Sequence, residues 1–312
     1  MTITQLKYVL AVAESQNFTK AAEKTFVTQP TLSMQIQKLE EELEIQIFDR
    51  TKKPIELTAV GQKIVEQARN IVNESERMQD VVDQEKGFIG GTYKLGIIPT
   101  VMPTLLPMFL KIFSSRYPKV QLKIEELNTD EIITKINDGY LDAAIAATPL
   151  KQERIKERPI YYEPFVAYIP ENHRLASKDT IEAKDLDIED VLLLEDGHCF
   201  RDGIINLCKA SKNGSFEKFQ LESGSFETLV KLADEGLGMT LLPYLHTLDV
   251  SPNQTINLKY FKEPSPAREV SLIYSKSELK MQITNVLYDV ISGIIRGAIA
   301  FQDVKIISPL KK

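Results

Sequence analysis

The sequence predicts two parts of different fold class: an all-α winged helix-turn-helix domain with a long linker helix, then a two-lobed α/β sensor domain. Three observations predict this. Two short helical patterns meet at a tight connection just before Pro30. A helix-period run then continues over 58–86 with no proline inside it. Beyond Gly87, Gly90 and Gly91 the pattern changes to strand–helix–strand alternation, the mark of a parallel sheet with right-handed helical crossovers.

Ile3, Leu6, Leu10 and Ala13 recur at helical spacing, so 3–14 forms a first helix. Asn17 is placed to cap a second over 18–25, with Ala21 and Ala22 inward. A third starts at Thr28-Gln29-Pro30, with Thr28 or Gln29 near the cap and proline in the first turn, where its missing N–H costs nothing. It runs to about Leu43 with Leu32, Ile36 and Leu39 inward. Residues 45–58 read as two short strands around Lys52-Lys53-Pro54, a β-hairpin wing. Thr58 caps the long helix, where Ile64, Ala68, Ile71, Ser75, Met78 and Val82 alternate at four and three residues. Such an a/d seam either pairs with a second copy of the helix or packs on its own domain.

In the second part, strands are expected at 93–98, 120–127 and 142–147, with helices at 104–117 and 130–138 between them. Further strands fall at 163–169, 191–194, 218–221 and 269–274, and helices at 202–210 and 226–234. A terminal helix begins near Glu278. The proline-containing stretches 158–164 and 264–268 read as two crossings between lobes.

A chain of 312 residues has room for two or three such units. Its net charge of −6 argues against a uniformly basic nucleic-acid surface, and 1–88 alone holds eleven Lys/Arg against fourteen Asp/Glu. DNA binding therefore needs a local patch. Arg50, Lys52 and Lys53 supply one, with Lys20 and Lys24 a helical turn apart. Met1 opens straight into Thr-Ile-Thr-Gln-Leu without a basic-then-apolar leader, so the expected location is cytoplasmic. The longest apolar stretch, 281–301, carries Asp289 and Arg296 and reads as an amphipathic helix, with no membrane partner expected. Two cysteines make no structural disulfide framework, and no metal site or cofactor motif is present.

Phe18-Thr19-Lys20-Ala21-Ala22, Thr28-Gln29-Pro30-Thr31-Leu32-Ser33, Leu39-Glu40-Glu41-Glu42-Leu43, Phe48-Asp49-Arg50 and Leu57-Thr58-Ala59-Val60-Gly61 together resemble the DNA-binding domain of LysR-type regulators. Gly236-Leu237-Gly238-Met239-Thr240-Leu241-Leu242-Pro243 resembles that family's sensor signature. The run 194–202, with Cys199 followed by Cys208, resembles the family's peroxide-sensing branch. The resemblance covers essentially the whole chain. It implies a DNA-binding domain over 1–58, a dimerising linker helix over 59–88 and a periplasmic-binding-protein-like redox sensor over 91–302. The sensor's lobes are roughly 91–162 with 269–302, and 163–268. The implied assembly is a homodimer or homotetramer on promoter DNA, acting with RNA polymerase.

In that frame Thr28, Gln29, Pro30, Thr31, Ser33 and Gln35 occupy the start of a helix entering the major groove. Arg50, Lys52 and Lys53 on the wing contact phosphates or the adjacent minor groove. Many relatives carry arginine after the recognition-helix serine, where this chain has Met34, so its operator is expected to differ.

Most cytosolic cysteines are buried and inert, but the neighbours of Cys199 suggest more. His198 and Arg201 flank it and can stabilise a thiolate. Asp196-Gly197 makes a turn, Gly197 permits close backbone approach, and Asp202 can cap the following helix or relay a proton. If the nine residues to Cys208 are helical, the two Cα atoms stand roughly 13 Å apart, whereas a disulfide needs about 4.4–6.8 Å. Bonding then demands that the helix unwind and release a buried Cys208, which makes the segment a switch. The resemblance implies that hydrogen peroxide oxidises Cys199 to a sulfenic acid and that Cys208 resolves it to a disulfide, activating antioxidant genes. A glutaredoxin- or thioredoxin-like reductant would reset it. Thr100, Thr129, His198, Arg201 and Arg268 are implied to line the peroxide pocket. Thr100 and Thr129 equally suit helix capping.

A metabolite-sensing regulator with passive cysteines is the alternative. A thiol peroxidase is disfavoured by the helix-turn-helix and the lack of Cys-x-x-Cys. No enzyme activity is expected.

Overall fold

The computed structural model describes residues 1–208, 224–299 and 304–310. The chain divides into a unit of Met1–Phe88 with Asp138–Tyr140, and a unit of Ile89–Asn137 with Leu141–Lys312.

The first unit contains α1 (Ile3–Ser15), α2 (Phe18–Lys24), α3 (Gln29–Leu43), a hairpin of β1 (Phe48–Asp49) and β2 (Glu56–Leu57), and α4 (Ala59–Glu85). Side-chain oxygens start the first three helices: Thr2, Asn17 and Thr28 each accept backbone N–H groups of the first turn. Leu6, Val9, Ala21, Leu32, Ile36 and Leu39 then close one core, because their three- and four-residue spacing puts them on facing stripes. Thr58 caps α4 as expected, its Oγ1 accepting from Gly61 N at 2.9 Å. Gly61 admits no side chain, since a Cβ there would lie 2.0 Å from Ile47 O. Val65, Ala68 and Val72 of α4 are buried in this domain's core, while Ile71, Met78 and Val82 are exposed. The predicted seam is therefore split. Ala68 belongs to the intradomain face, and the later seam positions Ile71, Met78 and Val82 are left outward.

The second unit opens with β3 (Gly91–Ile97), α5 (Met102–Arg116), β4 (Val120–Glu126), α6 (Thr129–Asn137) and β5 (Ala143–Thr148). β3 pairs in parallel with both β4 and β5, the expected α/β arrangement. Next come β6 (Ile155–Tyr168), β7 (Thr180–Ile181), α7 (Cys199–Leu207), α8 (Phe226–Asp234), β8 (Thr240–Pro243), α9 (Tyr244–Thr247), β9 (Leu258–Phe261), β10 (Ser265–Ser275), α10 (Met281–Ala298) and β11 (Val304–Ile306). The strand order is β4-β3-β5-β10-β6-β9-β7, with β8 on β6 and β11 on β10.

The sheet is mixed, because β10 runs antiparallel to β5 and β6. The proline-containing stretches lie within β6 and at the start of β10, which pair with each other. β6 is a single strand that pairs with β10 over its first part and with β8 and β9 over its last four residues. The strand expected at 163–169 is this second half. That expected at 191–194 shrinks to one bridge, Val191 to Met239, because the chain turns away into the 195–198 loop. The short strands β7, β8, β9 and β11 were too brief for alternation to reveal. The strand expected at 218–221 lies outside the described residues.

Two buried clusters result. One, around Leu95, Phe109, Ile145 and Leu287, fills the lobe of β3–β5 and α10. The other, around Phe165, Phe200, Phe226 and Leu241, fills the lobe of α7, α8 and β8. α10 buries Ile283, Leu287, Ile291 and Ile295 along one stripe. Among the described residues no helix is long and apolar enough to cross a membrane. Past the expected end at 302, β11 pairs in parallel with the start of β10, and Ile307 is buried in the second lobe.

Candidate functional site

The first unit presents the start of α3. Thr28, Gln29, Pro30 and Thr31 are exposed there, and Ser33 and Gln35 are half-buried. Thr28 Oγ1 lies 2.8 Å from Thr31 Oγ1, which orders the two hydroxyls. Glu40, which the sequence reading passed over, joins the wing to this helix. Its Oε1 accepts from Ile47 N at 2.8 Å and Phe48 N at 3.2 Å, and its Oε2 from Arg50 Nη2 at 2.8 Å. The Arg50 guanidinium also stands 5.1 Å over the Phe18 ring and donates to Ser33 Oγ at 3.4 Å. Arg50 is thus tied back onto the protein, while Lys52 and Lys53 are exposed at the hairpin turn. Lys24 pairs with Glu14 at 2.7 Å.

In the second unit Cys199 is the first residue of α7, and Cys208 caps its far end, with Cys208 N donating to Ile204 O at 2.9 Å. Both thiols are unbonded. Cys199 is buried against the first lobe's core, whereas its neighbour Phe200 belongs to the second. One helix start therefore joins the two cores.

Arg268 sits beside the thiol in full burial. Its Nη1 donates to Thr100 Oγ1 at 2.8 Å and its Nη2 to Thr100 O at 3.0 Å. Its Nε and Nη2 both donate to Glu163 Oε2, at 2.9 and 2.7 Å. Its guanidinium carbon stands 5.1 Å from the centre of the Phe200 ring. Burial pushes the Cys199 thiol above its ordinary value, and the Arg268 charge, Thr129 and a backbone hydrogen bond from Ala147 pull it partly back, while Asp202 pushes it up. Thr129 Oγ1 is itself buried beside the sulfur without a well-formed hydrogen bond.

Neither threonine caps a helix. Asn128 does so for α6, its Oδ1 accepting from Glu131 N at 2.9 Å, and Thr100 is committed to Arg268. Asp202 is not the cap of α7 either: His198 holds that position, and Asp202 lies within the first turn. Gly197 adopts φ +95 with open space where a Cβ would be, so it serves left-handed backbone and not a close approach. Arg201 turns toward Asp196 Oδ1 at 3.0 Å and Leu194 O at 2.9 Å, and His198 Nε2 faces Glu195 Oε1 at 3.4 Å. Arg268, distant in sequence, is the cation that acts on the thiol.

Cys208 is half-buried against the second core, not fully buried as expected. Burial, then the nearby Asp187 charge, pushes its thiol up to about 12. On α7, Asn206 Nδ2 donates to Ser308 O at 3.0 Å and Leu310 O at 2.9 Å, holding the chain's last described residues on the helix. Glu163 was also missed. Its one signal in sequence was a lone carboxylate leading the apolar run Phe165–Tyr168.

A winged helix-turn-helix followed by a two-lobed α/β unit defines a regulator that couples DNA reading to a sensing domain. Residues 3–62 match the model of the bacterial regulatory helix-turn-helix protein of the lysR family, and 86–292 match the LysR substrate binding domain. The chain belongs to the LysR family. It is 34% identical to the hydrogen peroxide-inducible genes activator of Dickeya chrysanthemi, over 88% of this chain and 89% of that one. The same identity and coverage relate it to the DNA-binding transcriptional dual regulator OxyR of Escherichia coli K12. A full-length OxyR variant from Pseudomonas aeruginosa superposes with a TM-score of 0.75 at 32% identity, covering 94% of this chain and 98% of that one. A hydrogen-peroxide-bound OxyR variant of Corynebacterium glutamicum does so with a TM-score of 0.61 at 26% identity, covering 98% of each.

Proposed function

We propose that this protein is a DNA-binding transcription regulator switched by hydrogen peroxide at Cys199. One observation carries the proposal: Cys199 and Cys208 stand at opposite ends of the nine-residue α7, and the first thiol is buried beside Arg268 and Thr129. The peroxide-inducible relatives and the peroxide-bound structural neighbour support it.

The thiolate of Cys199 attacks one peroxide oxygen. An S–O bond forms, the O–O bond breaks, sulfur is oxidised by two electrons, and the departing hydroxide leaves as water after taking a proton. Arg268 stabilises the charge that moves from sulfur to oxygen, with Thr100 holding it in place. Thr129, His198, Arg201 and Asp202 line the approach, and Asp202 relays a proton. A cleft of about 240 Å³ lined by Pro99, Asn128, Glu195 and His198 lies beside the start of α7. Cys208 as thiolate then attacks the sulfenic sulfur. The S–S bond forms, the S–O bond breaks, and the released hydroxide takes a second proton. Helix α7 holds the partners roughly 13 Å apart at ~1.5 Å per residue, so it must unwind for this step.

On DNA, Thr28, Gln29, Pro30, Thr31, Ser33 and Gln35 read the major groove, and Lys52 and Lys53 contact backbone or minor groove, with Arg50 bracing the wing. The exposed Ile71, Met78 and Val82 of α4 pair protomers across a linker helix, and sensor contacts complete a tetramer. The two lobes follow the periplasmic-binding-protein plan. The protein works in the cytoplasm with RNA polymerase to activate antioxidant genes, and a glutaredoxin- or thioredoxin-like thiol reductant restores the dithiol. A promoter footprint before and after peroxide tests this. It should change in the native chain and stay fixed in Cys199→Ser; a variant that still responds would overturn the proposal.

A further inference from the structure

We propose that Glu163 is a positioning residue for the thiol reaction, its buried carboxylate fixing Arg268 beside Cys199 and offsetting part of that cation's charge. The inference rests on the peroxide-sensing reading above.

The geometry carries it. Glu163 and Arg268 are 1% and 3% exposed, so neither is held by solvent. Glu163 Oε2 receives both the Nε and one terminal nitrogen of Arg268, and Oε1 is anchored by Leu245 N at 2.9 Å. The carboxylate is therefore locked by backbone on one oxygen and presents the other as a fixed acceptor. An arginine gripped along one edge has no freedom to rotate, and its opposite edge meets Thr100 Oγ1 and O. The two contacts set the guanidinium over the ring of Phe200, the residue after Cys199. Neither partner reaches this geometry alone.

Charge points the same way. Glu163 is felt by Tyr161 on its own strand, by Arg268 on β10 and by His246 on α9. Cys199 is felt by Arg268 on β10 and Asp202 on its own helix, with Thr129 facing it from α6. Arg268 is the group common to both sets. An unpaired cation there would draw the thiol toward thiolate at all times. Paired with Glu163, it leaves the resting thiol protonated while the cation stays fixed in place.

The test uses the full chain carrying Cys208→Ser, with and without Glu163→Gln. Alkylation of Cys199 by iodoacetamide against pH reports the thiolate, and hydrogen peroxide oxidation reports the organised reaction. Glu163→Gln should move the alkylation profile to lower pH. It should also cut the peroxide rate per thiolate by about 10- to 100-fold, the scale of loss on misplacing a catalytic group. A folded Gln variant with both readouts unchanged, whatever its melting temperature, overturns the assignment. If Glu163→Gln does not fold, Arg268→Gln is compared with the double variant Glu163→Gln, Arg268→Gln. Equal peroxide rates support action through Arg268, and a further fall of about tenfold in the double variant contradicts it. The parent must also outpace free cysteine with peroxide. Failure there removes the sensing reading itself, whereas a fast parent beside an unchanged Gln variant removes only the role of Glu163.

Discussion

Arg268 stands 5.1 Å over the ring of Phe200, and Phe200 is the residue next to Cys199. The cation that acts on the thiol is thus seated on the helix that must unwind when the thiol is oxidised. Phe200 is also wedged edge-on between Phe165 and Phe226, with ring centres at 5.0 and 5.1 Å. Unwinding α7 would disturb the second lobe's aromatic core and the Arg268 site together. That coupling lets a change at one sulfur reach the rest of the sensor unit.

The pH dependence follows from burial. The Cys199 thiol lies above its ordinary range, because desolvation outweighs Arg268. The rate of peroxide oxidation should climb with pH through neutrality, with no plateau below about pH 8.5, the unperturbed thiol value. The sign for stability is opposite. Above that pH the unfolded chain releases thiol protons that the folded chain retains at Cys199 and Cys208, so stability falls as pH rises. Stopped-flow oxidation and urea melts across pH 6–10, a span of about two units either side of 8 chosen to bracket that value, check both directions.

Gly203 lies inside α7, and a Cβ there would meet Phe165 Cζ at 3.7 Å, an ordinary contact. Gly203→Ala should therefore fit and stabilise the helix by about 1 kcal/mol. The step from sulfenic acid to disulfide should slow about fivefold, while the first oxidation of Cys199 keeps its rate. Quenched-flow mass analysis separates the two steps.

The C-terminal strap predicts the reverse. Asn206 on α7 holds Ser308 O and Leu310 O, and Ile307 is buried in the second lobe. A chain ending at Ile299 loses these contacts. At about 0.5–1.5 kcal/mol per hydrogen bond, its disulfide should form several-fold faster and its urea midpoint should drop.

Wing and recognition helix should separate when Glu40 is lost. Glu40→Ala leaves Ile47 N and Phe48 N without their acceptor and frees Arg50, costing about 1–3 kcal/mol per orphaned buried group. DNA affinity should fall with it. Lys52→Ala should instead leave stability alone and lower the salt slope of DNA binding by about one. Thermal melts and salt titrations of promoter binding distinguish the two.

Much of this was legible in the chain. The stripe of Leu32, Ile36 and Leu39 and the proline at position 30 placed the recognition helix, because helix starts and faces are local properties. The nine-residue spacing of the cysteines already forbade their bond in a helical segment, and α7 spans that interval. What escaped was non-local. Glu163 and Arg268 meet across 105 residues, through two strands whose pairing no periodicity encodes. Flanking charges made His198 and Arg201 look like the thiol's partners, but on α7 Arg201 is directed toward Asp196 and Leu194. Glu40 reads as one of three consecutive glutamates until the fold buries it alone beneath the wing.

The switch requires that Cys199 and Cys208 join. Mass spectrometry of the peptides bearing each cysteine, taken from the full chain before and after one equivalent of hydrogen peroxide, decides it. A single intramolecular Cys199–Cys208 crosslink, replaced by a Cys199 sulfenic acid in Cys208→Ser, is the predicted result. Two free thiols after the pulse, or oxidation confined to Cys208, would contradict it.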